Sequence, residues 1–418
     1  MSPLFGSALT WRYALRSLFR HKRRTALSIL GVALGCAVSL MMVSWVYGEA
    51  ETMKHAAANS GVGHFRIAPA AWDLSRDNKL RLPPDQAPAL LKQVRALPQV
   101  VVATPHARTG ALLAMGTRTT GVELLGVDPD LEQQINRTVR TLATGRYLKP
   151  GDSGCCVIGA KVASRLKVGV GDALMVTVSG RDDEMHSVML NVVGVVKTGS
   201  SLLDSVLCHV PLAEIEKLTG YPGIAEISVL LDDVDHLDNT LLQFRPTLPP
   251  ATAALSWDRL IPELADGVEV DKSFARIIVA VIVLVVFLGI ASAQLAAVLE
   301  RRKEFAVLAA IGMKGRQLVA AMLGEALLLG FLGGSLGLAL GTPVVSWLHI
   351  HGFDLRVISK DFDLGVSNVL LEPVIHGAMG WWIVPLTFGL ALTATVLSSL
   401  YPAWYALSTD PANALRAE

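Results

Sequence analysis

The sequence predicts an α-helical membrane protein with four transmembrane helices and a mixed α/β extracytoplasmic domain between spans one and two. Of its 418 residues, 52% are hydrophobic and only 17% are charged, whereas a soluble globular protein usually carries about 25% charged residues. Four apolar stretches are each long enough to cross a bilayer, which takes about 20 helical residues. The polar segment between the first two stretches is long enough to fold as one or two domains.

The predicted transmembrane helices are nearly free of charged residues. The first apolar stretch is about twice as long as the apolar region of a cleaved signal peptide, and we therefore interpret it as a permanent span. The third contains one ionisable residue, Glu325. The predicted spans are 25–47, 274–299, 317–348 and 379–402.

Basic residues set the predicted orientation, because cytoplasmic loops of membrane proteins are enriched in lysine and arginine. Segments 1–24 and 300–316 are rich in both, whereas segment 349–378 has Arg356 and Lys360 beside several carboxylates. We therefore expect a multi-pass protein of the bacterial inner membrane. Its N-terminal segment and its tail, 403–418, would be cytoplasmic, and segments 48–273 and 349–378 extracytoplasmic.

The N-terminal segment carries a further pattern. Residues 11–19 combine an apolar helical face with arginines on another face, which indicates an amphipathic helix at the membrane surface. A plain basic tail is the alternative. The net charge of the whole chain is only +1, so nothing in its charge indicates a nucleic-acid partner.

The segment 48–273 mixes short β-like runs with helix candidates, separated by glycine and aspartate turns. Its end, 271–276, enters the second span without a flexible linker, which predicts a continuous helix or short stalk. The predicted strands are 157–158, 173–178, 189–196 and 227–231, and the predicted helices are 84–97, 160–166 and 212–218. Cys155 or Cys156 could pair with Cys208 if this region is extracytoplasmic, or all three could be small buried residues.

Motifs for chemistry are weak. The tetrapeptide Gly151–Gly154 contains Ser153 in the sequence Gly-Asp-Ser-Gly, but no histidine stands in a context that suggests a base, so a turn is favoured. His349 and His351 are too few ligands to predict a metal site. No phosphate-binding Gly-x-x-x-x-Gly-Lys-Ser/Thr sequence occurs. We therefore expect a non-catalytic subunit without a metal or directly bound cofactor, whose ATP and Mg²⁺ would be bound by a partner.

The third span carries the residues expected to matter inside the membrane. Glu325 is either functional or paired near the cytoplasmic interface, because a charge within the bilayer is costly. Glycines at four-residue spacing allow helices to approach closely. These glycines, which predict a packed helix interface, are Gly330, Gly333, Gly334, Gly337 and Gly341.

Several segments resemble one family of transporter subunits. Residues Leu299–Met313 (LERRKEFAVLAAIGM), the Gly-Glu-Ala of 324–326 and the glycine-rich helix resemble the FtsX-like permease signature. The terminus Tyr401–Arg416 (YPAWYALSTDPANALR) is similar to that of the same family. Residues 145–159 resemble its MacB-like extracytoplasmic domain, and the opening at 12–35 is similar to that of lipoprotein-releasing (Lol) permeases.

The resemblance implies a type VII ABC transporter in which two four-span permeases act with two cytoplasmic ATPases. The second permease would be another copy or a paralogue. The segment 300–316 would form a coupling helix that docks on the ATPase, although a plain basic loop is the alternative. The coupling residues that the resemblance implies are Arg301, Arg302, Lys303, Glu304, Phe305, Leu308, Ile311, Gly312 and Met313.

Three functions remain open at this point. The first is extraction of lipoproteins or other amphiphiles from the inner membrane, with a periplasmic acceptor as a further partner, or efflux of small molecules or peptides. The second is mechanotransmission to cell-wall hydrolases, as in FtsX-like modules. The third, a membrane-anchored hydrolase, rests on the Ser153 motif alone.

Overall fold

The computed structural model describes residues 22–75, 77–182, 184–301, 315–357, 365–366 and 369–408. They fall into two compact units. The helical unit comprises the described residues of 1–49, 270–353 and 375–418, and the α/β unit those of 50–269 and 354–374. The amphipathic segment predicted at 11–19 lies outside the described residues.

The described residues form helices and strands in the following order, apart from four short 3-10 turns. The helices are α1 Lys22–Ala58, α2 Trp72–Ser75, α3 Ala87–Arg95, α4 Pro129–Ile135, α5 Ala160–Leu166, α6 Leu203–Val206, α7 Leu212–Thr219, α8 Leu237–Phe244, α9 Trp257–Leu260, α10 Pro262–Glu300, α11 Gly315–His351 and α12 Ile383–Ser408. The strands are β1 Phe65–Pro69, β2 Val100–Met115, β3 Arg118–Val127, β4 Leu142–Gly145, β5 Cys155–Gly159, β6 Ala173–Ser179, β7 Met185–Val196, β8 Leu207–Pro211, β9 Glu226–Leu231, β10 Thr252–Ser256, β11 Phe353–Asp354, β12 Gly365–Val366, β13 Val369–Leu370 and β14 Val374–Ile375.

Four helices, α1, α10, α11 and α12, are long and apolar enough to cross a membrane. Their apolar residues surround the helix instead of forming one stripe, a pattern of buried or membrane helices. Helix α10 is unbroken from Pro262 to Glu300, which confirms the helix predicted at 271–276. Helix α12 begins only at Ile383, because the residues just before it form a turn in which the Ile383 amide donates to the Gly380 carbonyl.

The α/β unit contains a ten-stranded mixed sheet in the order β10-β1-β9-β2-β3-β8-β5-β7-β4, with β6 paired to β2 and β7. The pairs β3–β8 and β5–β7 are parallel, and the other pairs are antiparallel. Strand β2 is shared, because its first half pairs with β9 and its second half with β3 and β6. The strands predicted at 157–158, 173–178, 189–196 and 227–231, and the helices at 160–166 and 212–218, are confirmed.

Two large hydrophobic clusters meet along β2. One is built around Phe65 and Phe244, and the other around Leu113 and Leu174. Ala103 belongs to the first cluster and Ala107 to the second. Between these two alanines, Thr104 and His106 are fully buried and polar. A polar layer therefore crosses the interior of the α/β unit.

Part of the chain between α11 and α12 packs into this unit. Val369 is fully buried in the first cluster. The Leu370 amide donates to the Ser60 hydroxyl over 3.0 Å, and Arg137 forms an ion pair with Glu372. Segments from the two regions predicted to be extracytoplasmic, 48–273 and 349–378, thus belong to one compact unit.

Candidate functional site

The polar layer of the α/β unit holds a network of buried ions. On β9, Glu226 accepts from Arg66 of β1 over 2.9 Å and from Arg108 of β2 over 2.8 Å. Arg108 also donates to Glu123 of β3 over 2.6 Å. Arg66 and Glu226 are almost fully buried, whereas Arg108 retains some exposure. The network therefore ties four strands together through charge-assisted hydrogen bonds.

A second group continues the network from β2 to α4. The imidazole Nε2 of His106 lies 2.5 Å from the Glu132 carboxylate, and its Nδ1 lies 3.2 Å from the Ser228 hydroxyl. Asn136 donates from its amide to the other Glu132 oxygen over 2.7 Å. His106 and Glu132 are completely buried. Each carboxylate oxygen of Glu132 thus has a hydrogen-bond donor.

Neighbouring hydrogen-bond donors keep the buried carboxylates Glu226 and Glu132 ionised. Burial would raise the pKa of Glu226, but the guanidinium groups of Arg108 and Arg66 outweigh it and hold that pKa below its usual value. Burial would likewise raise the pKa of Glu132, and His106 reverses this effect. Because each of these carboxylates is already hydrogen-bonded to neighbouring side chains, the arrangement is better suited to holding the strands in position than to acid–base catalysis.

Two buried histidines are held neutral near this network. Burial lowers the pKa of His209 to about 4, and burial together with His55 lowers that of His64 to about 4. The His209 Nδ1 lies 2.9 Å from the hydroxyl of Tyr147, whose own pKa is raised by burial.

A cavity of about 70 Å³ adjoins the network. Its polar lining includes Arg108, Glu123 and His209, and its apolar lining includes Leu125 and Leu207. The site was not predicted from the sequence. The available signal was the presence of charged residues inside otherwise apolar strands, such as Arg66 within β1.

The predicted serine motif takes a structural role. The hydroxyl of Ser153 donates to Glu214 over 2.8 Å, and Glu214 also accepts from Lys217. Gly151 and Gly154 both have positive φ angles, as a tight turn requires. Among the described residues, no histidine forms a hydrogen bond with Ser153.

The structure also shows the surroundings of the two histidines and three cysteines considered from the sequence. His349 Nδ1 donates to the Gly377 carbonyl over 2.7 Å, and His351 stacks on Trp347. Within the described ranges, no three potential ligands of the His, Cys, Asp and Glu types are grouped to hold a metal ion. The three cysteines considered for a disulfide, Cys155, Cys156 and Cys208, are free thiols.

Glycines of α11 allow two neighbouring helices to approach closely. A β-carbon added at Gly337 would lie 2.6 Å from the Ala33 carbonyl oxygen of α1. At Gly334 it would lie 2.9 Å from the Phe388 ring of α12. Gly333 and Gly341 share the first face, and Gly330 shares the second. The predicted glycines thus divide into one set against α1 and another against α12.

The predicted coupling residues Arg302–Met313 lie outside the described residues. Arg301, at the end of α10, is 7% exposed and lines a small cavity together with Glu325 of α11. Its neighbour Glu300 forms an ion pair of 3.0 Å with Arg24 of α1. Polar contacts are therefore present between α1 and the last residue of α10, and polar side chains face each other between the end of α10 and α11.

Two family models match the chain in succession. Residues 25–246 match the MacB-like periplasmic core domain, and residues 276–411 match the FtsX-like permease C-terminal region.

Individual relatives have low sequence identity to this chain but align with most of its length. The lipoprotein-releasing system transmembrane protein LolE of Haemophilus influenzae is 23% identical over 430 residues, covering 99% of both chains. LolC of Xylella fastidiosa is 24% identical, covering 77% of this chain and 79% of its own length. The macrolide export ATP-binding/permease protein MacB of Hyphomonas neptunium is 25% identical, covering 90% of this chain but 59% of its own length.

Proposed function

The chain belongs to the family of ABC transporter permeases that join a MacB-like periplasmic core domain to an FtsX-like permease region, and from this premise we propose that it releases lipoproteins or other amphiphiles from the inner membrane. ATP hydrolysis takes place on a separate cytoplasmic ATPase, and this chain converts it into motion of the α/β unit. The observation that carries the proposal is the similarity to a lipoprotein-releasing permease over 99% of both chains.

The packing of segment 354–374 supports the proposed orientation. Its contacts with Ser60 and Arg137 unite it with the domain that follows α1. This agrees with placing both segments outside the cytoplasm, as the distribution of basic residues predicts. The segment 300–316 is then cytoplasmic and can dock on the ATPase, with Arg301–Met313 as its proposed coupling region.

Helix α10 presents an apolar surface that the rest of the chain leaves largely uncovered. Within the most apolar 18-residue stretch of this helix, only 11% is buried inside the chain, compared with 33–50% in the corresponding stretches of α1, α11 and α12. Large side chains such as Phe274, Ile277 and Val285 are mostly exposed. In the membrane this surface contacts lipid, a second permease subunit, or both.

Efflux of another amphiphile is the second candidate, and the similarity to a macrolide export permease favours it. Mechanical signalling to a cell-wall hydrolase is the third, and the match to the FtsX-like region favours it.

The proposal is tested by reconstituting the chain with its cognate ATPase in lipid nanodiscs that contain a lipidated protein. We expect ATP to release the lipidated protein to a soluble acceptor. The control is the same complex with an ATPase that binds but does not hydrolyse ATP. Robust ATP hydrolysis with neither binding nor release of the lipidated protein would reject lipoprotein release in favour of the other two candidates.

A further inference from the structure

Gln294 of α10 is a polar side chain in an unusual environment. Both its amide nitrogen and its amide oxygen are enclosed, and neither has a hydrogen-bond partner within the described part of the chain. Leaving such a group unpaired in the interior is costly. Buried polar groups are therefore almost always paired, often with an ordered water molecule.

A cavity of about 20 Å³ lies beside this side chain, between α10 and α11. Gln294 of α10 and Arg301, the residue that follows α10, line one side of it, and Glu325 of α11 lines the other. A water molecule needs about 10–15 Å³ of such volume and two to four polar partners. The cavity therefore has the size and the polar lining for one water molecule.

Helix geometry explains why these residues meet. Gln294 and Arg301 are seven residues apart, and the Arg301 amide still donates to the Ala297 carbonyl over 3.1 Å, so the two residues lie on one side of the helix, two turns from each other. On α11, Leu318 and Glu325 have the same spacing and line the same cavity. The cavity thus lies between facing sides of the two helices, close to the ends that the segment 302–314 connects.

We propose that Gln294, Arg301 and Glu325 hold a water molecule and form a polar joint that fixes α10 against α11 at the base of the coupling segment. Arg301 is then a positioning residue within the helical unit, since its side chain is buried. The joint keeps the two helix ends in register when the ATPase moves the segment between them. The inference rests on the proposed coupling role, but it does not depend on which substrate is released.

The joint is tested with two substitutions, Gln294→Leu and Glu325→Gln, and their combination. Ser292→Ala is the matched control, because Ser292 is exposed on the same helix and its hydroxyl donates to the Leu288 carbonyl of that helix over 2.8 Å. The measurement is the ATPase rate of the full complex in nanodiscs, relative to the isolated ATPase. We expect each single substitution to change this stimulation by about threefold to tenfold, a usual range for residues that couple two sites.

The double variant gives the decisive result. If both residues act through one joint, its effect is no larger than that of the stronger single variant. Independent, multiplicative effects, or no effect of either substitution, would overturn the proposal. Gln294→Asn, which keeps the amide, is measured beside Gln294→Leu and is expected to retain more stimulation. All these readouts remain valid if lipoprotein release itself is not observed.

Discussion

Acid should destabilise the α/β unit well before its carboxylates are protonated, because two buried histidines must stay neutral. The pKa values of His64 and His209 are lowered from 6.5 to about 4 in the folded protein. In the unfolded chain both would take up a proton near their ordinary pKa. Their contribution to stability is therefore fully present above pH 6.5 and is lost as the pH falls from 6.5 towards 4.

The size of the effect follows from the linkage relation. Between pH 7 and pH 5, each histidine should lower the free energy of unfolding by about 2 kcal/mol, which gives about 4 kcal/mol for both. His64 and His209 are only 3% and 4% exposed, so screening by solvent reduces this value little. For a unit of this size, the loss corresponds to a fall in the unfolding temperature of about 10 °C.

The variant His209→Asn isolates one of the two contributions. The asparagine amide can take the place of Nδ1, which lies 2.9 Å from the Tyr147 hydroxyl, because an amide can either accept a hydrogen bond from that hydroxyl or donate one to it. Unlike the imidazole, the amide does not titrate. We expect the variant to lose about 2 kcal/mol less than the wild type between pH 7 and pH 5. Buried carboxylates such as Glu226 also favour unfolding in acid, but they do so equally in both proteins.

The assay is thermal unfolding of the intact protein in nanodiscs at pH 7, 6 and 5, followed by tryptophan fluorescence. Trp257, which is buried in the α/β unit, reports on that unit. The control is the same substitution at a surface histidine, His186→Asn, whose side chain is 43% exposed. Identical pH dependence in the wild type and His209→Asn would refute the reasoning.

Two further predictions concern the buried contacts. Glu226→Gln removes the counter-charge of the buried Arg66 and one of the two counter-charges of Arg108, and should lower the free energy of unfolding by about 3–5 kcal/mol. Urea unfolding would measure this, and a loss below about 1 kcal/mol would show that the pairs contribute little. Gly337→Leu would force a side chain to within 2.6 Å of the Ala33 carbonyl and should lower the unfolding temperature and yield of the helical unit. Gly389→Leu, whose added β-carbon meets no atom within 4 Å, is the control, and equal damage by both substitutions would contradict the packing argument.

Much of the architecture could be predicted because its signals are local. The four long apolar helices follow from uninterrupted hydrophobic length, and strands such as β6 and β9 follow from short β-branched runs between turns. The glycine spacing in α11 also predicted close packing. The spacing alone could not show that Gly337 packs against α1 and Gly334 against α12, because the partner of each glycine depends on where the other helices lie.

The buried ionic network could not be predicted, because its partners are distant in sequence. Arg66 and Glu226 meet only after β1 and β9 have paired. In the sequence, each is a single charged residue that a solvent-exposed strand position would explain equally well. Gln294 shows the same difficulty within a membrane helix, since only the position of α11 reveals that its amide is enclosed.

The network has a cost that points to its role. Taking ions out of water is unfavourable, and well-packed apolar residues are often as stabilising as a buried ion pair. The hydrogen bonds within the ion pairs of Glu226 and Arg108 are directional, however. They can form together only when β1, β2, β3 and β9 have the positions seen in the structure. In a domain proposed to transmit movement, a single fixed strand arrangement matters because a deformable interior would absorb the displacement. The same reasoning applies to the glycine contacts of α11, which hold helices at short distance without flexible side chains between them.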